Sequence, residues 1–177
     1  MTNRDQVVAA ARSWIGTPFV HQGRLKGAGV DCIGLVIGVG RELGLCAPDF
    51  DISGYARDPD GKSLMALSRS HMKLINREAM RAGDVVVVRF GDHPQHFGVL
   101  GDYKHGGLSI VHAAMKSSAV VEQRLIAPND INLFKASSAD HMCKHPKFDG
   151  DLSHLLRLDS KLNNGDFIFL NFFGFGD

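Results

Sequence analysis

The hydrophobic period of this chain changes once, near residue 81, and that change limits the folds open to it. Before it, apolar residues recur at helical spacing. Val7, Val8, Ala11, Trp14 and Ile15 share one helical face over residues 2–15, and Gly16 closes the run. Leu35, Val36, Val39 and Leu43 form a second stripe in a helix opening at Cys32. Asp31 is its natural N-cap and Gly44 its stop. A third stripe, over residues 63–75, carries Leu64, Leu67, His71, Leu74 and Ile75. Beyond the turn Arg81-Ala82-Gly83-Asp84, β-branched residues come in short runs, at 85–90, 96–103, 108–114 and 119–126. Gly106-Gly107 is a hairpin signal. Short connections make neighbouring strands antiparallel, because a parallel pair needs a crossover of about a dozen residues or more. Helices followed by a strand meander give an α+β domain.

The 177 residues suffice for one domain with a real core, and a formal net charge of +1 with no basic block gives no nucleic-acid surface. No run of 18 apolar residues occurs, so no membrane span is expected. Met1 to Asp5 is polar and lacks the charged-then-apolar pattern of a secretory signal. Synthesis in the cytoplasm without a Sec signal is the expectation, with delivery by other proteins if the substrate lies outside. Residues 1–135 read as the main domain and 136–177 as a C-terminal extension packed on it. Within the latter, residues 167–175 are aromatic-rich and suit a last strand.

Three cysteines, Cys32, Cys46 and Cys143, do not make a disulfide framework. Cys32 differs from the others in its placement. As the first residue of a helix it faces unpaired backbone N–H groups, which carry about half a positive charge and favour thiolate over thiol. The same amides suit an acyl-transfer oxyanion. Asp31 opposes a thiolate unless it caps the helix or binds a basic loop residue such as Arg24 or Lys26. Position alone does not separate this reading from a buried cysteine on an apolar helix.

A cysteine nucleophile needs a base within reach. His96, in His96-Phe97-Gly98-Val99-Leu100, sits at the start of a strand and is held rigidly. Gly98 leaves room there for the Cys32 helix. His93 is a rival, but lies in a turn beside Pro94. His112, in the apolar run Ile110-Val111-His112-Ala113-Ala114, needs a polar partner, and orienting a second imidazole would supply one. His105, at the hairpin turn, is expected in solvent. His141-Met142-Cys143-Lys144-His145 offers three potential metal ligands, but no CxxC pair and no HExxH motif occurs, so no metal and no cofactor is assigned. Serine chemistry lacks its GxSxG elbow.

Four segments together resemble the NlpC-type cell-wall cysteine peptidases, whose core is papain-like. They are Trp14-Ile15-Gly16-Thr17-Pro18-Phe19, Asp31-Cys32-Ile33-Gly34-Leu35-Val36, Arg81-Ala82-Gly83-Asp84-Val85-Val86, and the pair His96-Phe97-Gly98-Val99 with Val111-His112-Ala113. They stand in the family's order. The loop at 17–29, with His21-Gln22 and Lys26-Gly27, looks most like the phage-encoded, tail-associated branch. The resemblance implies hydrolysis of peptidoglycan stem peptides, commonly at the γ-D-glutamyl to diaminopimelate link, with Cys32 as nucleophile, His96 as base and His112 as orienting residue. It implies no metal or cofactor. It also puts Phe19, Asp31 and His21 on the substrate and oxyanion side. Family members often carry Tyr where this chain has Phe19, so a hydroxyl is missing there. Amidase or acyltransferase chemistry, or a phage-tail interaction module without activity, are the alternatives.

Overall fold

A computed structural model of the chain describes residues 2–57, 62–75, 79–90, 93–125 and 169–171. Three helices and eight strands occur there: α1 (Arg4–Arg12), β1 (Arg24–Leu25), β2 (Gly29–Val30), α2 (Cys32–Glu42), α3 (Ser63–His71), β3 (Lys73–Ile75), β4 (Val85–Phe90), β5 (His93–Asp102), β6 (Leu108–Ala114), β7 (Ala119–Arg124) and β8 (Phe169–Asn171). As the change of period requires, the last group builds an antiparallel sheet in the order β4-β5-β6-β7. Helices packed on one antiparallel sheet make the α+β architecture.

The boundaries of α1 and α2 have local causes. Asn3 caps α1 in a reciprocal capping box with Gln6. Residues 13–15, expected to be helical, instead tighten into turns with three-residue bonds such as Trp14 N–H to the Ala11 carbonyl, 3.1 Å. Asp31 caps α2 through the Gly34 amide. At its far end Gly44 takes φ +65°, and the Gly44 and Leu45 amides donate to Arg41 and Gly40, a Schellman close. The third stripe stops short of its expected end. Helix α3 finishes at His71, and Lys73–Ile75 become β3, paired antiparallel with β8. Leu74 and Ile75 fit either period, and the pairing decides for strand. The expected division at residues 135 and 136 lies outside the described residues, as do Cys143 and His141-Met142-Cys143-Lys144-His145.

Pro94, expected as a break, lies inside β5. The β4–β5 register shifts between Val88 and Arg89, and this irregularity accommodates a residue with no N–H to donate. On one sheet face Val85, Val87, Phe97, Val99, Val111 and Ala113 join Leu35, Val36 and Val39 of α2 in the main core. Alternate residues Val86, Val88, Leu100 and Ile110 make a smaller cluster. Residues Ile33 to Gly40 of α2 are all buried. A helix enclosed on every side is apolar all round, as this one is.

The glycines of α2 serve neighbours other than the sheet. A Cβ on Gly34 would stand 2.1 Å from the Gly23 carbonyl oxygen, and one on Gly38 would stand 2.3 Å from Trp14 Cζ2. In an open helix Gly→Ala gains up to about 1 kcal/mol. Here the sign reverses. Gly38→Ala is expected to lower stability by about 1–3 kcal/mol through overpacking on the indole, which urea unfolding measures.

Three ion pairs tie α1 to the sheet and the turn before it, one of them between Arg12 and Asp102 of β5 at 3.0 Å. Arg4 Nη1 donates to the buried Asp84 at 2.7 Å. Arg12 holds Glu122 of β7 through Nε and Nη2, and Glu122 also accepts from the Ser109 hydroxyl. The Arg12 bonds hold the Glu122 carboxyl below its usual range. A depressed folded-state pKa gives stability present above the unfolded value and lost as pH falls through the folded one. Glu122→Gln is therefore expected to flatten the fall of the melting temperature with acidification below about pH 4, while lowering it at pH 7.

Candidate active site

The segment before α2 is laced to the far edge of the sheet. Gly16 and Phe19 amides donate to Val120 and Ser118, the Val120 amide donates back to Thr17, and Val30 donates to Pro18. This covers the open edge of β7 and delivers Asp31 and Cys32 to the sheet. Cys32 then opens α2, half-buried and a free thiol. Its sulfur lies against the backbone amide of Phe97, the residue after His96, and against the Ile33 amide and its own. Burial and the charge of Asp31 push the thiol up to about 12, against the pull of those three amides. The resting group is a neutral thiol, and it needs a base to become a nucleophile.

The two strand histidines meet. His96 Nε2 and His112 Nδ1 are 2.7 Å apart, with ring planes crossing at 79°. Alternation along the strands puts both side chains on the same parity of the sheet. Burial lowers His96 to about 3, with His112 adding to the effect, and burial lowers His112 as well. Both rings rest neutral, the state in which an imidazole accepts a proton. Above Gly98 the space is taken by Ile110, whose Cγ1 would be 2.4 Å from an added Cβ. The expectation that α2 uses this gap is corrected: a neighbouring strand fills it. His105 is exposed beside Tyr103.

Asp31 is the hub on the other side of Cys32. Its carboxylate accepts from the Gly34 amide at 2.8 Å, the Gln22 amide at 2.6 Å, Arg24 Nη1 at 3.3 Å and the Tyr55 hydroxyl at 2.5 Å. His21 Nδ1 stands 3.7 Å away, and its ring meets Tyr55 edge-on. Of the two basic candidates, Arg24 takes the aspartate. Lys26 turns to Glu42 and Ser13. Arg24 also bonds Asp51 and the Tyr55 oxygen, so the loop before α2 and the loop after it are joined. Phe19 packs against the main core and bridges Val30.

Two residues of the site, Tyr55 and Gln123, are absent from the expectations drawn from sequence. Tyr55 lies in a loop with no period to place it. Gln123, whose Oε1 is 3.2 Å from His112 Nε2, does carry a signal. Once residues 115–118 are read as the turn, alternation puts 123 diagonal to 112 on the same face. Among the described residues no cluster of three His, Cys, Asp or Glu side chains is placed to hold a metal ion. No helix there is long and apolar enough to cross a membrane.

A half-exposed thiol at a helix N-terminus, set against the amide of the residue that follows one of two paired strand imidazoles, is an arrangement suited to acyl transfer. The comparisons agree on the architecture. The NlpC/p60 domain of the peptidoglycan hydrolase SagA aligns at TM-score 0.50 and 24% identity, over 70% of this chain and 90% of that one. NlpC2 from Trichomonas vaginalis aligns at TM-score 0.50 and 18% identity, over 75% of this chain and 46% of that one. No curated protein matches. The sequence model of the NlpC/P60 family covers residues 16–135, well over half of the chain. With its papain-like α+β fold and this match, the chain belongs to the NlpC/P60 family, a family of cysteine peptidases and peptidoglycan hydrolases.

Proposed function

We propose that this protein is a cysteine peptidase that hydrolyses peptidoglycan stem peptides, at the γ-D-glutamyl to diaminopimelate link, with Cys32 as nucleophile, His96 as base and His112 as the residue that orients it. The observation that carries the reading is the 2.7 Å contact between the two imidazoles, one residue along the strand from the amide that touches the Cys32 sulfur. SagA, a peptidoglycan hydrolase, supports the substrate class.

In this mechanism His96 takes the Cys32 proton as the thiolate attacks the peptide carbonyl carbon. The tetrahedral oxyanion forms near the Cys32 amide at the positive end of α2. His96 returns the proton to the leaving amine, and water then cleaves the acyl-enzyme with His96 again as base. With Tyr replaced by Phe19, the oxyanion depends on backbone N–H groups. The site of action is the cell wall. The loop at 17–29 favours a phage-encoded, tail-delivered enzyme.

Mass spectrometry of fragments released from purified sacculi tests the bond. New termini within the stem peptide are expected. Peptides severed at the sugar would instead establish an amidase. Neutral His96 is the active form, and its pKa is depressed. Activity is therefore expected to persist as pH falls through about 6.5, the ordinary imidazole value, and to fail only at more acid pH. A profile of kcat/KM against pH checks this; an acid limb at the ordinary value would remove the buried base from the mechanism.

A further inference from the structure

We propose that Gln123 is a positioning residue: by accepting a hydrogen bond from the Nε2–H of His112 it fixes the tautomers of both imidazoles and keeps His96 Nδ1 unprotonated, as a base requires. The proposal rests on the cysteine-peptidase reading of Cys32 and His96. Its logic is one of proton counting. The atom of Gln123 that faces His112 is Oε1, 3.2 Å from Nε2. A carbonyl oxygen only accepts, so the contact is a hydrogen bond when His112 carries its proton on Nε2. A neutral ring has one N–H, so His112 Nδ1 is then a lone pair. That lone pair is 2.7 Å from His96 Nε2, which must donate. The single proton of His96 thus sits on Nε2, and Nδ1 carries the lone pair that can take a proton from a thiol.

Turning the Gln123 amide over reverses every step. Its NH2 would donate to His112 Nε2, the His112 proton would move to Nδ1 and point at His96 Nε2, and the His96 proton would sit on Nδ1. The base would become a donor. One exposed amide on β7 therefore decides the proton position two rings away. The charged groups near the relay are committed elsewhere. Glu122 is held by Arg12 and Ser109, and Arg124 lies over the Tyr103 ring. On the helix side, Asp31 is capped by the Gly34 amide and bonded to Gln22, Arg24 and Tyr55, next to the neutral Cys32.

Because Gln123 is exposed, Gln123→Leu and Gln123→Glu are expected to fold with unchanged melting temperatures. Long-range nitrogen–proton NMR of the full chain reads the ring tautomers without reference to activity. The wild type is expected to show His112 protonated on Nε2 and bare on Nδ1, and His96 protonated on Nε2. Gln123→Leu is expected to show mixed tautomers. On sacculi, Gln123→Leu is expected to lower kcat about tenfold with KM unchanged, well short of the roughly 10^4-fold cost of a fully wrong tautomer, because solvent takes part of the role. Gln123→Glu keeps the acceptor and is expected to restore kcat, with the acid limb moved to higher pH by its charge. A His112 proton on Nδ1 in the wild type, or unchanged tautomers and kcat in Gln123→Leu, would overturn the proposal. Cleavage surviving in Cys32→Ala would overturn the peptidase reading instead, and the ring spectra would still report on the relay.

Discussion

Cys32→Ala is expected to abolish release of stem-peptide fragments from purified peptidoglycan, a loss of at least about 10^4-fold, and His96→Ala is expected to match it. The equality follows from the state of the resting site. With the thiol pushed up to about 12, almost no thiolate exists at neutral pH without a base. Removing the base therefore disables the nucleophile as completely as deleting it, and the two losses do not add. The same argument predicts that iodoacetamide labels Cys32 more slowly in His96→Ala than in the wild type. Ala is a strong helix former at a half-buried N-terminal position, so Cys32→Ala should keep the wild-type circular dichroism. Undiminished cleavage by that variant would overturn Cys32 as the nucleophile, whereas a wild-type Cys32 that labels no faster than Cys46 would point to a binding module that keeps the family fold.

The second large effect is on stability. Asp31→Ala is expected to cost about 3 kcal/mol, measured by urea unfolding. Asp31 is buried and takes four donors. Truncation removes the α2 cap, itself worth about 1 kcal/mol. It also strands the Gln22 amide, which is held in a left-handed conformation at φ +57° that a non-glycine residue rarely adopts without a partner. Asp31→Asn separates the two contributions. Its carbonyl oxygen can still cap Gly34 and accept from Arg24, but its NH2 faces the Gln22 amide and the Tyr55 hydroxyl. A loss close to that of Asp31→Ala would assign the effect to the loop network, whereas a loss of about 1 kcal/mol or less would assign it to the cap.

The layout of helices and strands was readable because each segment commits to one period. Residues 35–43 repeat at helical spacing, and residues 85–88 are all valine. Asp31, Cys32, His96 and His112 were readable because caps and strand positions are local properties. Leu74 and Ile75 misled because two adjacent apolar residues fit a helix or a strand, and only pairing with β8 distinguishes them. Gly98 was read as making room for the Cys32 helix and the glycines of α2 as letting a sheet approach, and in both cases the neighbour is another one. A glycine in sequence records a close approach without naming the neighbour, and the neighbours here are Gly23, Trp14 and Ile110. Tyr55 went unseen because its role comes from a long-range contact with Arg24 and Asp31, and loop sequence does not encode that.

The packing of Trp14 against Gly38 makes the protein its own optical probe. Trp14 is the single tryptophan of the chain, 3% exposed, with Lys26 Nζ 5.6 Å from its ring. An indole so enclosed emits at short wavelength, and opening α1 from α2 would shift that emission to the red. Gly38 lies six residues beyond Cys32 on the same helix. Intrinsic fluorescence thus follows the seating of the nucleophile's helix directly, with no label attached to the thiol under study.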